Sequence, residues 1–204
     1  MRRRGARRQL QRGIIVLPSA FTLGNLFLGF WAMVSASRGN FELAAWLIVV
    51  AAIVDMLDGR IARFTSTGSE FGEQLDSLVD AISFGVAPAL IVYFAFLGDS
   101  GWNWIMAFIF VSAAIIRLAR FNVEQAGIAK SAFHGLPSPT AGVTLATYYS
   151  FTETPFFRAY FSQVNVPQAA GWIMIAVAGL MISHVLYPVV PRFTHRTWGG
   201  RLAL

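Results

Sequence analysis

The sequence has no cysteine and few charged residues. Without cysteine, the 204-residue chain forms no disulfide and offers no thiol as a nucleophile or metal ligand. Charged residues make up 13% of the chain and hydrophobic residues 56%, whereas soluble domains carry about 25% charged residues. The mean hydropathy is +0.58. These values exclude an ordinary soluble enzyme and predict an all-α integral membrane protein of one domain.

Histidine is also scarce. The three histidines, His134, His184 and His195, have no spacing to one another that is typical of a metal site or a catalytic pair. We therefore interpret them as loop, packing and tail residues. The chain also lacks a convincing internal repeat, which a transporter built from repeated halves would show.

Positive charge is concentrated at the N-terminus. The net charge is +6, and six arginines precede residue 13, namely Arg2, Arg3, Arg4, Arg7, Arg8 and Arg12. A basic arm could bind nucleic acid, but no soluble domain accompanies it. We interpret residues 1–13 as a cytoplasmic, lipid-facing arm and expect no nucleic-acid partner. The apolar run 14–34 is longer than the core of a signal peptide, about 7–15 residues, so it predicts a retained first span.

Six apolar stretches are candidates for transmembrane helices, each near the length of about 20 residues that a span needs. They lie at residues 14–36, 41–63, 73–97, 102–121, 137–152 and 170–190. With six spans, nearly all lysines and arginines fall on one side, and the positive-inside rule places both termini in the cytoplasm. We expect a catalytic domain at 14–191, a basic cytoplasmic tail at 192–204, and a bacterial inner-membrane location with the active site facing the cytoplasm.

Four aspartates interrupt the apolar pattern. Asp55 and Asp58 lie near the end of the second predicted span, and Asp76 and Asp80 near the start of the third. Ionisable residues at membrane depth are costly and usually mark function. Each pair has the i,i+3 or i,i+4 spacing that shares one helix face. In an antiparallel hairpin centred near residues 67–68, Asp55 lies level with Asp80, and Asp58 with Asp76. The sequence therefore predicts that the four carboxylates can converge.

Four carboxylates in one small volume need protons or cations between them. Ligands that are all oxygen favour Mg²⁺, Mn²⁺ or Ca²⁺ over zinc or copper. An EF-hand loop does not fit, because Met56 and Leu57 separate the first two aspartates. We predict a site for two divalent cations that a substrate phosphate completes. A structural polar cluster or an ion pathway remains the alternative.

Small residues and one arginine accompany the aspartates. Gly59 follows Asp58 directly, Ala62 and Arg63 lie one turn further, and Gly72 shares the helix face of the second aspartate pair. Glycine permits the close approach of a ligand or of another helix, and an arginine can bind a phosphate through two N–H groups. Tight helix packing is the alternative for the small residues.

The stretch 55–80 resembles the signature of the CDP-alcohol phosphotransferase family. It keeps the pattern D-x-x-D-G-x-x-A-R, eight residues, G-x-x-x-D-x-x-x-D at every position. The resemblance implies six transmembrane helices around a cytoplasm-facing site for two Mg²⁺ or Mn²⁺ ions, and a homodimer. It assigns Gly59, Ala62, Arg63 and Gly72 to the nucleotide and phosphate groups.

Within this family the chain is similar to the phosphatidylserine synthases, through the stretches 18–29, 83–88, 117–122 and 135–142. This similarity implies transfer of the phosphatidyl group of CDP-diacylglycerol, a membrane lipid, to the hydroxyl of L-serine, with Asp80 as general base. Glycerol 3-phosphate, inositol or choline are alternative acceptors. An aspartate-lined cation transporter and a non-catalytic membrane scaffold are the alternatives from other classes.

Other polar residues in the spans have two interpretations each. Thr22 and Asn25 lie one turn apart in the first span and either contact the nucleotide or bond to neighbouring helices. Ser83, one turn from Asp80, either lines the same cavity or bonds to the backbone.

Two arginines near the cytoplasmic end of the fourth span are candidates for binding the acceptor. Arg117 and Arg120 share a helix face, with Asn122 just beyond. A serine carboxylate requires a cationic partner, which a guanidinium supplies. The alternative is that both arginines anchor the helix at the membrane interface.

Overall fold

The computed structural model of the chain describes residues 2–65, 70–98, 101–125, 132–183 and 185–188. Side chains are described for residues 20–59, 71–98, 101–123, 135–183 and 185. Within these ranges the fold is a bundle of α-helices with two π-helical segments and one pair of short strands. In chain order the elements are α1 (Arg2–Ser37), α2 (Phe41–Thr65), α3 (Glu70–Asp80), a first π segment (Ala81–Val86), α4 (Ala87–Val92), a second π segment (Tyr93–Leu97), α5 (Trp104–Gln125), β1 (Ala132–His134), α6 (Ser138–Thr152), α7 (Pro155–Tyr160), α8 (Val166–Ile182) and β2 (Leu186–Pro188).

Several helices can cross a membrane, as the composition predicts. In the described part of the chain, three helical stretches are long and apolar enough, namely Ala20–Ser37, Phe71–Leu97 and Trp104–Val123. They correspond to the first, third and fourth predicted spans. The apolar helix α8 is shorter, and α6 has 15 residues. Helix α2 has 25 residues, but acidic side chains lie near both of its ends.

The last predicted span is wrong at its C-terminal end. We expected a helix over 170–190, but α8 ends at Ile182, and β2 pairs antiparallel with β1, with Tyr187 opposite Phe133. The turn before α6 makes this pairing possible. Gly135 has φ +78, and its N–H donates to the carbonyl oxygen of Val185. Pro188 has no N–H and does not continue a helix, which is a signal that the sequence already contained.

Two regions outside the predicted spans contain helix. The segment between the predicted spans 137–152 and 170–190 includes α7, whose first turn is capped by Thr154, because its hydroxyl accepts from the N–H of Phe157. Asn165 caps α8 in the same way, through the N–H of Gln168. Helix α1 begins at Arg2, so residues 2–13 of the predicted arm have a helical backbone. The predicted tail 192–204 lies outside the described residues.

The first π segment packs tightly between α1 and α6. A Cβ atom built on Gly29 would lie 2.9 Å from Cα of Ser83, and one built on Gly142 would lie 2.8 Å from the carbonyl oxygen of Phe84. Only glycine permits this approach, and Ser83 and Phe84 are fully buried as a result. This contact holds the segment that directly follows Asp80 against two other helices.

Candidate active site

Three of the four aspartates meet at one point. One carboxylate oxygen from each of Asp55, Asp76 and Asp80 lies within 4.8 Å of the other two. Asp55 belongs to α2. Asp76 and Asp80 lie in the C-terminal half of α3, and Asp80 is its last residue. The two helices bring Asp55 and Asp80 together, as the sequence spacing predicts, and Asp76 joins them, whereas Asp58 does not belong to this group.

The fourth aspartate lies beside this group and is oriented by α1. Asp58 is 6% exposed, and its Oδ2 accepts a hydrogen bond of 2.7 Å from the Thr22 hydroxyl. Its carboxylate is close enough to repel those of Asp55 and Asp76. Thr22 therefore bonds to a neighbouring helix, which is one of its two predicted roles.

Two carboxylate oxygens at the centre have no hydrogen-bond partner within the described residues. They are Oδ1 of Asp58 and Oδ1 of Asp80, and both atoms are buried. Buried polar atoms in native proteins are nearly always paired, so such atoms point to a missing ligand. Carboxylates alone are the donor set that hard divalent cations prefer, and the group therefore fits the Mg²⁺ or Mn²⁺ that the sequence predicts.

Helix α1 contributes a buried carboxamide next to the aspartates. Asn25 is 1% exposed, and neither its Oδ1 nor its Nδ2 has a partner in the part of the chain that the structure describes. Its backbone oxygen accepts from the Ser83 hydroxyl at 3.2 Å. Ser83 thus bonds to backbone, while the carboxamide of Asn25 keeps its full hydrogen-bonding capacity for a ligand.

On the opposite side, α5 directs Arg117 towards the aspartates. The guanidinium is near enough to Asp80 to attract its carboxylate. One nitrogen, Nη1, donates to the Ser138 hydroxyl at 3.0 Å, and the group lies 5.8 Å from the ring centre of Phe121. Its Nε is buried and has no partner among the described residues. Arg117 therefore retains a free donor beside the cluster.

Arg120 and Asn122 have other contacts. Nη1 of Arg120 donates to the backbone oxygen of Ile182, at the C-terminus of α8, over 3.3 Å. Oδ1 of Asn122 accepts from the Ser77 hydroxyl at 3.0 Å, which ties α5 to α3. Arg117 and Arg120, which the sequence presents as equivalent candidates, therefore have different hydrogen-bond partners. Ser77 and Ser138 were missed by sequence reasoning, although Ser77 directly follows Asp76.

The remaining predicted site residues are only partly described. Gly59 is exposed and Gly72 is half-buried. The side chains of Ala62 and Arg63 lie outside the described residues. An exposed glycine next to Asp58 leaves room for a ligand to approach the carboxylates from the hairpin end.

Comparison with known proteins identifies the family. The chain matches the CDP-alcohol phosphatidyltransferase family over residues 15–183. It is 37% identical over 177 residues to the CDP-diacylglycerol–serine O-phosphatidyltransferase of Helicobacter pylori, which covers 86% of this chain and 73% of that protein. It is 36% identical over 178 residues to the archaetidylserine synthase of Methanothermobacter thermautotrophicus, covering 86% of this chain and 71% of that protein. The match to the corresponding Mycobacterium tuberculosis transferase is 36% over 135 residues, or 64% and 47% of the two chains. The chain belongs to the CDP-alcohol phosphatidyltransferase family.

Proposed function

We propose that this protein transfers the phosphatidyl group of CDP-diacylglycerol to the hydroxyl of L-serine, giving phosphatidylserine and CMP. The observation that carries the proposal is the convergence of the Asp55, Asp76 and Asp80 carboxylates in a chain of this family. The relatives support serine as the acceptor, because both the Helicobacter pylori and the archaeal protein are named for serine transfer or serine-lipid synthesis. Glycerol 3-phosphate, inositol and choline are therefore secondary candidates.

The aspartates hold the activating cations. Asp55, Asp58 and Asp76 would bind two divalent ions, Mg²⁺ or Mn²⁺, and Asp80 would share the second. When bound, such ions neutralise the pyrophosphate and lower the energy of the leaving phosphate oxygen. The Thr22 hydrogen bond fixes one oxygen of Asp58, so its buried Oδ1 is left for a ligand.

The donor lipid occupies the α1–α2 side of the site. Gly59 and Gly72 give the pyrophosphate room near the aspartates, with Ala62 and Arg63 further along α2. The open carboxamide of Asn25 offers two donors and one acceptor to the nucleotide part of the donor. The acyl chains remain in the bilayer throughout, so that substrate and product never leave the membrane.

The acceptor occupies the α5 side. Arg117 has a buried Nε next to Asp80 that has no partner among the described residues, and a carboxylate placed there would receive a charge-assisted hydrogen bond. A bound serine would then have its carboxylate at Arg117 and its hydroxyl towards Asp80. Arg120 and Asn122 support this side through their contacts with α8 and α3.

The chemical step is a substitution at phosphorus. The serine hydroxyl oxygen forms a bond to the β-phosphorus, which bears diacylglycerol, and the bond from this phosphorus to the oxygen of CMP breaks. Asp80 accepts the proton of the hydroxyl, and CMP departs with the negative charge. Because the attacking group is held beside its base, the step gains from proximity as well as from charge stabilisation.

The membrane arrangement that fits this chemistry has six spans and both termini in the cytoplasm. The spans are α1, α2, the helical stretch 70–97, α5, α6 and α8. The positive-inside rule then opens the aspartate hairpin to the cytoplasm of a bacterial inner membrane, where water-soluble serine is available. We also expect a homodimer.

One assay tests the function. The purified protein in detergent is incubated with CDP-diacylglycerol, Mg²⁺ or Mn²⁺ and a panel of labelled alcohols, and CMP and lipid products are measured. We expect product with L-serine. Product with glycerol 3-phosphate alone would disprove the serine assignment but keep the reaction class, and no CMP release with any alcohol would disprove the transferase.

A second experiment tests the orientation. Because the chain has no cysteine, single cysteines can be labelled without background. Arg38→Cys should react with an impermeant thiol reagent added outside intact cells, whereas Lys130→Cys should react only after permeabilisation. The reverse pattern would contradict the cytoplasmic location of the site.

A further inference from the structure

A cavity lies at the end of the bundle opposite the aspartates. It has a volume of about 580 Å³ and is formed where the turn between α1 and α2 meets the end of α6. Glu42 lines it, and this residue precedes Asp55 by thirteen positions on the same helix. At 1.5 Å per residue the two sites are about 20 Å apart along α2. The cavity is therefore separate from the candidate active site.

The lining of this cavity combines aromatic rings with carboxylates. Phe41, Trp46 and Tyr149 supply the rings, and Glu42 and Glu153 the carboxylates. The ring centres of Phe41 and Tyr149 are 5.1 Å apart, and Trp46 is 59% exposed. Aromatic faces and a carboxylate around one space are the groups that recognise an ammonium ion.

The charges at the rim are of both signs. Glu153 forms an ion pair with Arg158, which is itself largely exposed. Within the described residues Glu42 has no side-chain hydrogen bond or ion pair. The cavity therefore presents one uncompensated carboxylate, that of Glu42, and a second, that of Glu153, which pairs with the guanidinium of Arg158. This pattern complements a headgroup that carries an ammonium and a phosphate.

An apolar stripe leads from the cavity along α2. It consists of Leu43, Trp46, Val50 and Ile53, which are between 43% and 59% exposed and share one helix face. The first two residues also line the cavity. The stripe extends over ten residues, or about 15 Å, which is the hydrocarbon thickness of one leaflet. A lipid with its headgroup in the cavity would thus lay its chains along α2.

We propose that this cavity binds the headgroup of a zwitterionic phospholipid in the leaflet opposite the aspartate site. The ammonium lies between Glu42 and the rings of Phe41, Trp46 and Tyr149, and the phosphate faces Arg158. The acyl chains follow the stripe on α2. A free amine would use the same ring and carboxylate contacts but would leave the stripe uncovered. The proposal is independent of the transferase activity.

Native mass spectrometry of the detergent-purified protein tests this site. The protein is mixed with equal amounts of phosphatidylethanolamine, phosphatidylcholine and phosphatidylglycerol that carry identical acyl chains. We expect the wild type to retain the two zwitterionic lipids about fivefold better than phosphatidylglycerol. Glu42→Gln should remove this preference, and Glu42→Lys should reverse it. Equal retention of all three lipids by the wild type would overturn the proposal.

Two controls complete the test. Glu73→Gln makes the same chemical change on an exposed position of α3 outside the cavity, and it should keep the wild-type preference. Millimolar phosphoethanolamine should not displace bound phosphatidylethanolamine if the chains contribute. Displacement would assign the cavity to a soluble amine and overturn the lipid assignment. Because Glu42 is exposed, its variants should keep the wild-type melting temperature, and an unchanged lipid preference in folded Glu42→Gln would also overturn it.

Discussion

The two ends of the helix bundle differ in how their polar side chains are paired. At the aspartate end, Asn25, Asp58, Asp80 and Arg117 each leave a buried side-chain atom without a hydrogen-bond partner among the described residues. At the other end, polar side chains cap helices and pair with each other, as Thr154, Asn165 and the Glu153–Arg158 pair do. Among the exceptions there are the buried hydroxyl of Ser150 and the exposed carboxylate of Glu42.

This difference distinguishes polar side chains that stabilise the fold from polar side chains that are available to a ligand. A buried polar group without a partner costs about 1–3 kcal/mol, and more if it is charged. Four such residues around one volume are a large cost unless a ligand pairs with them. The caps at the other end contribute to stability in the protein alone. Substitutions at the two ends should therefore affect different measurements.

The largest effect is expected for Asp76→Asn. The change removes one of the three converging carboxylates while keeping the shape of the side chain, so activity should fall on the order of 10³-fold. CMP release from CDP-diacylglycerol and serine measures it. Glu73→Gln, the same chemical change three residues earlier on α3, is the matched control and should stay active. Wild-type activity in Asp76→Asn would remove this residue from the site.

Removal of divalent cations by a chelator tests the aspartate end in a second way. Activity should fall to background in excess EDTA and return with Mg²⁺ or Mn²⁺. The wild-type melting temperature should rise when Mn²⁺ is added, whereas that of Asp76→Asn should respond much less. A thermal response that is equal in the two proteins would place the cation elsewhere.

The next largest effect is expected for Arg117→Ala, in comparison with Arg120→Ala on the same helix α5. Arg117→Ala should raise the KM for serine about 10- to 100-fold, because a hydrogen bond to a charged group contributes about 1.5–3 kcal/mol. The KM for CDP-diacylglycerol should change little. Arg120→Ala, one turn away and bonded to the end of α8, should change the KM for serine much less. Equal effects of the two variants would contradict the assignment of Arg117 to the acceptor.

A smaller effect concerns the carboxamide of Asn25. Asn25→Ala should lower activity about tenfold but should not lower the melting temperature of the ligand-free protein, because it removes a buried group that has no partner. Thr22→Val should lower the melting temperature, since it leaves Asp58 without its donor. Differential scanning fluorimetry in detergent distinguishes them. A clear loss of stability in Asn25→Ala would show that the carboxamide is structural.

The smallest effect is expected at the other end of the bundle. Thr154→Ala removes the N-cap of α7 and should cost about 1 kcal/mol of stability. Transferase activity at room temperature should not change, because no described contact connects α7 to the aspartates. Thr154→Ser keeps the hydroxyl and should restore the melting temperature. A loss of activity in folded Thr154→Ala would contradict the separation of the two ends.

The sequence predicts the centre of the site better than its surroundings. The meeting of Asp55 with Asp80 follows from helix periodicity and hairpin geometry alone, which depend only on spacing. The separation of Arg117 from Arg120 depends instead on where α6 and α8 pack, and no local pattern reports that. Likewise the sequence limits the partner of Thr22 to two alternatives, the nucleotide or a neighbouring helix, but does not decide between them.

The fold shows the same division. Long apolar stretches give the main helices, because their length and composition are local properties. The pairing of β1 with β2 joins segments that are three residues long and far apart in the sequence. Such short strands have no alternation to detect, so the end of α8 is misplaced, although Pro188 argues against a helix that continues to residue 190.

The first π segment has a consequence for how the chain tolerates insertions and deletions. A π turn accommodates an extra residue in an otherwise α-helical stretch. Removing one residue between Ala81 and Val86 would restore regular α-helix and would keep Asp76 and Asp80 on their present face relative to α4. A deletion within the regular turns of α4 would instead rotate the carboxylates by about 100° relative to the residues that follow the deletion, although every residue of the signature would remain. The rotational phase of this helix, and not its composition alone, is therefore part of the active site.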